Sequence, residues 1–274
     1  MEYYQQVSIT VSNTETREIL VALLADAGYE GFVEEPGILK AFIAESAFDQ
    51  QVLDQLVQPF AQAYELERIM QRNWNAEWES QFQPVAVGDF CAVRADFHEP
   101  IKGVRHDIIV TPKMSFGTGH HATTYMMLEA MQEEDFNEKK VLDFGTGTGV
   151  LAILAAKLGA STVKAIDNDS WSIENALENF ERNSVNGQVD LEKADTITGE
   201  EQYDIILANI NKNVIISQLD IICKHLRPNG VLIISGLLQS DTPDLQKAIA
   251  LHGLSLLHSF ERNSWICWKL GVKV

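Results

Sequence analysis

Long apolar runs are missing from this sequence. The longest, such as ILVALLA over Ile19–Ala25, stops far short of the roughly 20 residues a bilayer helix needs, so no membrane span is predicted. The opening MEYYQQVSIT has no basic stretch leading into an apolar one, so no signal peptide is read there. Cysteine is scarce. Cys91, Cys223 and Cys267 are odd in number, far apart and never in C-x-x-C spacing, which argues against a disulfide framework and predicts reduced thiols in a cytoplasmic protein. Basic residues are also few: 21 Lys and Arg stand against 39 Asp and Glu, a net charge of −18. Proteins that grip phosphate backbones do so with Lys and Arg, so no nucleic-acid specificity is expected, and a small or positively charged partner fits better. There is no G-x-S-x-G and no visible base beside a Ser or Cys, so nucleophilic catalysis has no support. His98, His106, His225, His252 and His258 are scattered without ligand spacing, and no metal site is expected.

What is present starts with a pattern in the first 70 residues. Val7, Ile9 and Val11 alternate as a half-buried strand should. Ser12 and Glu15 form a candidate capping box, and Ile19, Leu20, Leu23, Leu24 and Ala27 then recur at helical spacing until Gly28. Strands are predicted near Tyr29–Glu34 and Ile38–Glu45, joined by the turn Glu35-Pro36-Gly37. Phe48, Val52, Leu53, Leu56, Val57 and Phe60 mark a second helix, and Tyr64–Met70 a last strand. The order β-α-β-β-α-β is that of a small ferredoxin-like α+β domain, residues 1–70. These residues hold 12 acids and 3 bases, half the net charge of the chain. The excess reads as a solubilising surface or as a face for a basic partner. Residues 71–84, with Trp74 and Trp78 four apart, read as a linker helix whose tryptophans pack between domains.

Over 85–274 candidate strands alternate with helices. The strands are Asp107–Thr111, Lys140–Phe144, Thr162–Asp167, Val189–Lys193, Tyr203–Asn209, Val231–Ser235, Leu254–Ser259 and Ser264–Leu270. The helices include Val150–Leu158, Ser172–Arg182, Asn213–Leu226 and Asp244–Leu251. Alternation of this kind predicts an α/β domain with a mainly parallel sheet, and the close spacing of the last two strands predicts an antiparallel edge hairpin.

The most informative stretch is VLDFGTGTGVLAILAAKLGA, Val141–Ala160. A strand runs into Gly145, Gly147 and Gly149 and a helix follows. Glycines there let a ligand approach bare backbone, and the helix start offers free N–H groups to an anionic group. No Lys-Ser/Thr follows the loop, which excludes a P-loop. Gly147-x-Gly149-x-x-Ala152 also satisfies the dinucleotide fingerprint. Asp167, at the end of the second strand, is placed to accept hydrogen bonds from ribose hydroxyls, which NAD and S-adenosylmethionine both carry. Asp143 with glycines at every second residue leans toward the sulfonium cofactor. Asp195 ends the next strand, either as an acceptor for the adenine amino group or as a surface acid. Asn209 reaches the carboxyl edge of the sheet in YDIILAN, followed by Ile210-Asn211-Lys212, without the Pro-Pro-Tyr common where planar nitrogens are methylated. An aromatic to stack a nucleobase is therefore missing there. Trp171, just after AIDND, is placed either to stack near adenine or, the preferred reading, to pack against the sheet.

One further stretch, SFGTGHHATT over Ser115–Thr124, joins these. In order and spacing SFGTGHHATT, DFGTGTGVLAI, AIDND and ILANI resemble the ribosomal-protein methyltransferases of the PrmA type, and NWNAEWESQFQPV is similar to that family's interdomain segment. The resemblance covers nearly the whole chain. It implies a class I, Rossmann-like methyltransferase domain over 85–274 behind a substrate-recognition domain. It also implies methyl transfer from S-adenosylmethionine, with no metal, to lysine side chains and the N-terminal amine of large-subunit ribosomal protein eleven. Thr124, Gly145, Asp167 and Asn209 fall where the family contacts the cofactor, with Gly147 in the same glycine loop, and Phe116 and His121 belong to the loop that covers it. Lys113 and Ser115 stand where the family often has Gly and Ala, Ala122 where Pro is frequent, and Asn211-Lys212 replaces a more apolar pair.

The chemistry is consistent with these residues. An in-line displacement on a sulfonium requires alignment and a neutral amine, and neutralising a free lysine at pH 7 costs roughly 4–5 kcal/mol. Burial beside a positive sulfonium lowers that cost, so a dedicated base is optional. Asn209 is assigned to orienting the amine as well as the cofactor. The acidic first domain then meets a basic ribosomal protein, and the enzyme is expected to act as a monomer. Two other readings stand beside this one: a class I methyltransferase acting on another protein, a glutamine amide or nucleic acid, and a non-catalytic dinucleotide-binding module.

Overall fold

Val7 and Ile9 lie buried between Gln6 and Ser8 on strand β1 (Tyr3–Thr10) of the computed structural model, which describes residues 3–11, 13–60, 63–70, 83–112 and 116–272. The chain divides into two compact units, Met1–Gln81 and Phe82–Val274. In the first, β1 is followed by α1 (Thr14–Asp26), β2 (Gly31–Glu35), β3 (Ile38–Ala44), α2 (Gln50–Val57) and β4 (Tyr64–Met70). The sheet runs β2-β3-β1-β4, antiparallel throughout. One face closes on the helices: Val7, Ile9, Leu39, Ala41 and Ile43 pack with Leu20 and Leu24 of α1 and Leu53 and Val57 of α2. The cap of α1 is Asn13, not the predicted Ser12, which lies outside the described residues. Asn13 Oδ1 accepts the Thr16 N–H at 2.7 Å, the bond a good N-cap residue supplies. The predicted linker helix, with Trp74 and Trp78, lies outside the described residues except for its last two positions.

The second unit adds β5 (Val85–Val87), β6 (Cys91–Arg94), β7 (His106–Ile109), α3 (Ala122–Gln132), β8 (Lys140–Phe144), α4 (Val150–Lys157), β9 (Thr162–Asp167), α5 (Ser170–Arg182) and β10 (Val189–Lys193). After them come β11 (Tyr203–Asn209), α6 (Lys212–His225), β12 (Leu226–Leu238), α7 (Thr242–Leu251), β13 (Leu254–Arg262) and β14 (Trp265–Val272). Seven strands form one sheet in the order β10-β9-β8-β11-β12-β14-β13. The first five are parallel, while β14 pairs antiparallel with both β12 and β13, so the predicted hairpin closes one edge. Both faces are buried. Val141, Ile205, Leu207 and Ile233 join the core with Met127 of α3, Leu154 of α4 and Phe180 of α5, whereas Leu142, Ile206, Leu232 and Ile234 join Leu219 of α6 and Leu245 of α7.

The strand predicted at Asp107–Thr111 is not part of that sheet. It is β7, parallel to β6 in a separate sheet ordered β5-β6-β7. Neither β5 nor β6 was predicted: they are three and four residues long, and all four residues of β6 are buried, so no alternation marks them.

The outer edge of β7 is paired by side chains. Asn183 accepts the Ile109 N–H at 3.0 Å and donates to the Ile109 carbonyl at 2.6 Å. Asn179 accepts the Thr111 N–H at 2.7 Å, and Asn175 donates to the Thr111 carbonyl at 3.4 Å. Four helical residues rise about 6 Å and two strand residues about 6.6 Å, so asparagines four apart match backbone groups two apart. Asn179 also donates to the Thr148 carbonyl at 2.8 Å, tying this ladder to the glycine loop.

Candidate active site

At the carboxyl end of β8 the chain leaves Phe144 and turns through the glycines. Gly147 has φ +56°, and a Cβ there would stand 2.3 Å from the Phe116 carbonyl oxygen. Only a residue without a side chain lets the two segments meet. Their contact is hydrogen bonded: Thr148 N–H donates to the Phe116 carbonyl at 2.9 Å and the Thr148 hydroxyl to the Gly117 carbonyl at 2.8 Å. FGTG, from Phe116, and DFGTGTG are thus one interlocked structure rather than two neighbouring loops.

Asp143 lies beneath the loop, fully buried. Its Oδ2 accepts from the Thr146 hydroxyl at 2.6 Å and the Ala152 N–H at 3.2 Å, while Oδ1 has no partner. Burial, with the Asp167 charge adding, outweighs these two donors and pushes its carboxyl up to about 7. Asp167 closes β9 and holds the loop from the other side, accepting the Gly147 N–H at 2.9 Å and the Asp169 N–H at 3.0 Å. Each of its oxygens keeps a lone pair for a further donor.

A cavity of about 440 Å³ opens at this edge, within the range of small-molecule sites. Phe116, Gly145, Gly147, Asp167, Asp195 and Asn209, six of the seven residues singled out from the sequence, line it. Thr124, the seventh, does not. It is buried behind Asn209, whose Nδ2 donates to the Thr124 hydroxyl at 3.3 Å. The other end of the Asn209 amide, Oδ1, is buried and without a partner. His121 lines the cavity and caps α3, its Nδ1 accepting the Thr123 N–H at 3.4 Å. His120 fastens the loop instead: its Nε2 bonds the Gln83 carbonyl at 2.7 Å and its Nδ1 the Thr118 hydroxyl at 3.1 Å.

Trp265 and Gly236 also line the cavity and were not predicted. A glycine inside an apolar strand pattern signals a bulge or a close backbone approach, and that signal was available for Gly236. Trp171 does not pack on the sheet as expected. It is 73% exposed, because it points away from the buried face of α5 formed by Ser172, Asn175, Ala176, Asn179 and Phe180. Lys113 and Ser115 lie outside the described residues. Among the described residues no cluster of three or more His, Cys, Asp or Glu could hold a metal ion, and no helix is long and apolar enough to cross a membrane. All three cysteines are free, and burial pushes the Cys91 thiol up to about 12.

A family model described as ribosomal protein L11 methyltransferase (PrmA) matches residues 4–273. The chain belongs to this family. The ribosomal protein L11 methyltransferase of Bacteroides fragilis is 34% identical over 98% of this chain and 99% of its own length. That of Chlorobaculum parvum is 38% identical over 93% and 92%. A solved ribosomal protein L11 methylase from Lactobacillus delbrueckii subsp. bulgaricus superposes with a TM-score of 0.66 at 26% identity, covering 70% of this chain and 100% of that one. A Pyrococcus horikoshii protein described as a putative RNA methyltransferase shares the fold, with a TM-score of 0.50 at 19% identity over 60% of this chain and 89% of that one. The second unit therefore has the class I methyltransferase fold, and membership of the L11 methyltransferase family makes the chain an S-adenosylmethionine-dependent protein methyltransferase.

The residues fit that cofactor. Two glycines leave bare backbone on the cavity wall, two carboxylates stand at the ends of β9 and β10, and an amide oxygen without a partner waits at the end of β11.

Proposed function

We infer that this protein methylates amino groups of ribosomal protein L11, lysine side chains and the N-terminal amine, in the cytoplasm. The observation that carries this reading is Asn209 Oδ1, buried, without a partner and held in place through Thr124. An acceptor in that state needs an N–H donor, and an amine supplies one.

S-adenosylmethionine supplies a methyl group on a positively charged sulfur, already a good leaving group. Asp167 and Asp195 would hold the adenosine end through ribose hydroxyls and the adenine amino group. Gly145 and Gly147 would present backbone to the rest. Asn209 would accept one N–H of the incoming amine and so orient its nitrogen for the transfer. The carboxylates that line the cavity, Asp167 and Asp195, come from the ends of strands β9 and β10, whereas Asn209 ends β11 and Trp265 opens β14. Ile210, Val214 and Trp265, which line the cavity with Asn209, carry no charge, which disfavours ammonium and lets water take the proton before alignment. No side chain is required as a base. The acidic unit at residues 1–70 acts as the substrate-recognition domain, steering a basic ribosomal protein by complementary charge.

Radiolabelled methyl transfer to purified L11 and to ribosomal RNA, run side by side, tests the reading. Label on the protein is expected, and label on RNA alone would overturn it. Intact mass of L11 from cells with and without the gene then shows the methyls added.

A further inference from the structure

The strand order reverses between β8 and β11. From β8 the sheet grows outward through β9 and β10, and from β11 it grows the other way through β12. A crevice at such a reversal is where open α/β sheets hold their ligands. The two strands pair as far as Phe144 and Ala208. Gly145 and Asn209 come next, one on each side, and both line the cavity.

Ile210 joins the two sides. Its backbone is seated on β12, where its N–H donates to the Ser235 carbonyl at 3.2 Å. Ser235 is also the parallel partner of Asn209, and its hydroxyl is fixed in turn by donating to the Ile266 carbonyl at 2.8 Å. The Ile210 carbonyl lies so close over Gly236, at φ +88°, that a Cβ there would run into it. The Ile210 side chain reaches the other wall. A Cβ on Gly145, at φ +79°, would overlap Ile210 Cγ2. Gly145 is itself anchored, its N–H donating to the Ile166 carbonyl of β9 at 2.9 Å.

One branched side chain therefore stands between the backbone of the glycine loop and the backbone that carries Asn209. A β-branched residue is stiff at χ1, and close-packed atoms do not yield, so the contact acts as a spacer of fixed length. Displacement between a bound donor and a bound acceptor is sensitive to that length, since a misplacement of about 1 Å can cost about 100-fold in rate.

We propose that Ile210 is a positioning residue for methyl transfer: its side chain fixes the separation between the glycine loop, which holds the donor, and the Asn209 amide, which holds the acceptor nitrogen. The proposal rests on the reading of Asn209 given above. Ile210 acts through Gly145 and Asn209 and takes no part in the displacement. Without its branch both reactants still bind, but out of register, so turnover falls while binding is little changed.

The test measures methylation of L11 by the full-length protein, with calorimetric binding of S-adenosylhomocysteine on the same samples. Ile210→Ala is expected to lower kcat about tenfold, with KM for L11 and product affinity changed less than about threefold. Ile210→Val, which keeps both branch carbons, is expected to restore most of the turnover and guards against misfolding. Gly145→Ala puts a methyl group where Ile210 Cγ2 lies and is expected to cost about 100-fold in kcat. Adding Ile210→Ala to it opens that space and should raise turnover about tenfold, so the same substitution changes sign with its background. A residue that only supports the fold would lower turnover in both. That outcome would overturn the proposal, as would a loss of product binding in Ile210→Ala as large as the loss of turnover, which would make Ile210 part of the cofactor wall. Wild-type protein that leaves L11 unmethylated would remove the reading of Asn209 and the proposal with it.

Discussion

On the β9–β10 side of the cavity the wall is backbone and carboxylate: Gly145, Gly147, Asp167 and Asp195 offer hydrogen-bonding groups in fixed positions. On the β11–β14 side it is Trp265, Ile210, Val214 and two amides, Asn209 and Asn211. The first kind of wall recognises a ligand by matching its donors and acceptors. The second recognises more by shape and by keeping water away, with the Asn209 amide oxygen as an acceptor without a partner. A methyltransferase uses both, since the donor is polar and the acceptor amine must enter neutral.

The difference can be broken most strongly at the glycine loop, where the two walls share a support. Gly147→Ala puts a methyl group against the Phe116 carbonyl at a backbone angle that disfavours side chains. Affinity for S-adenosylhomocysteine is expected to fall by about 100-fold, a loss of roughly 3 kcal/mol. Calorimetry within a few-fold of wild type would show that the Phe116 segment does not depend on this contact. Next in size is Asn179→Leu, which strands the Thr111 N–H and the Thr148 carbonyl inside the protein. Urea unfolding is expected to show a loss of about 3 kcal/mol, and one below about 1 kcal/mol would mean that water replaces the ladder.

Asn209→Ala sharpens the division between the walls. Turnover is expected to fall about thirtyfold while product affinity changes less than about fivefold. Full turnover with unchanged affinity would remove its role. A smaller effect is expected from pH. The Asp143 carboxyl is raised from about 3.9 in an unfolded chain to about 7 in the fold. Between these values the folded protein holds a proton that the unfolded chain has released, so stability is lost as pH rises through that window. The melting-temperature advantage of Asp143→Asn should therefore grow from about pH 4 to about pH 7 and then level off. A constant difference would mean that the group ionises alike in both states. The smallest effect is expected from salt: binding of L11 should weaken several-fold from low to high ionic strength, whereas a flat series would leave the acidic first unit without a steering role.

Much of the first wall was legible because its residues are set by local order. Asp167 ends one strand, Asp195 follows the end of the next, and Gly145 and Gly147 directly follow a third, so a strand pattern plus a turn locates each of them. The second wall was only partly legible. Asn209 ends a strand and was found, but Trp265 opens β14, two strands away in the sheet, and no local pattern in WICWKLGV says that the cavity lies at that end. Thr124 and the adjacent Thr123 illustrate a finer limit. Both open α3, yet only the helix's rotation decides that Thr123 lines the cavity while Thr124 stands behind Asn209. Asn175, Asn179 and Asn183 carry no motif that marks them in the sequence. They are buried because their partner is strand backbone rather than water.

That ladder has a consequence for solubility. The last strand of a small sheet normally presents a row of free backbone groups, a template on which a foreign strand can add and from which aggregation starts. Along β7 those groups at Ile109 and Thr111 are already bound by Asn183, Asn179 and Asn175. A helix thus serves as the terminating strand, and the three-stranded sheet cannot grow from that side.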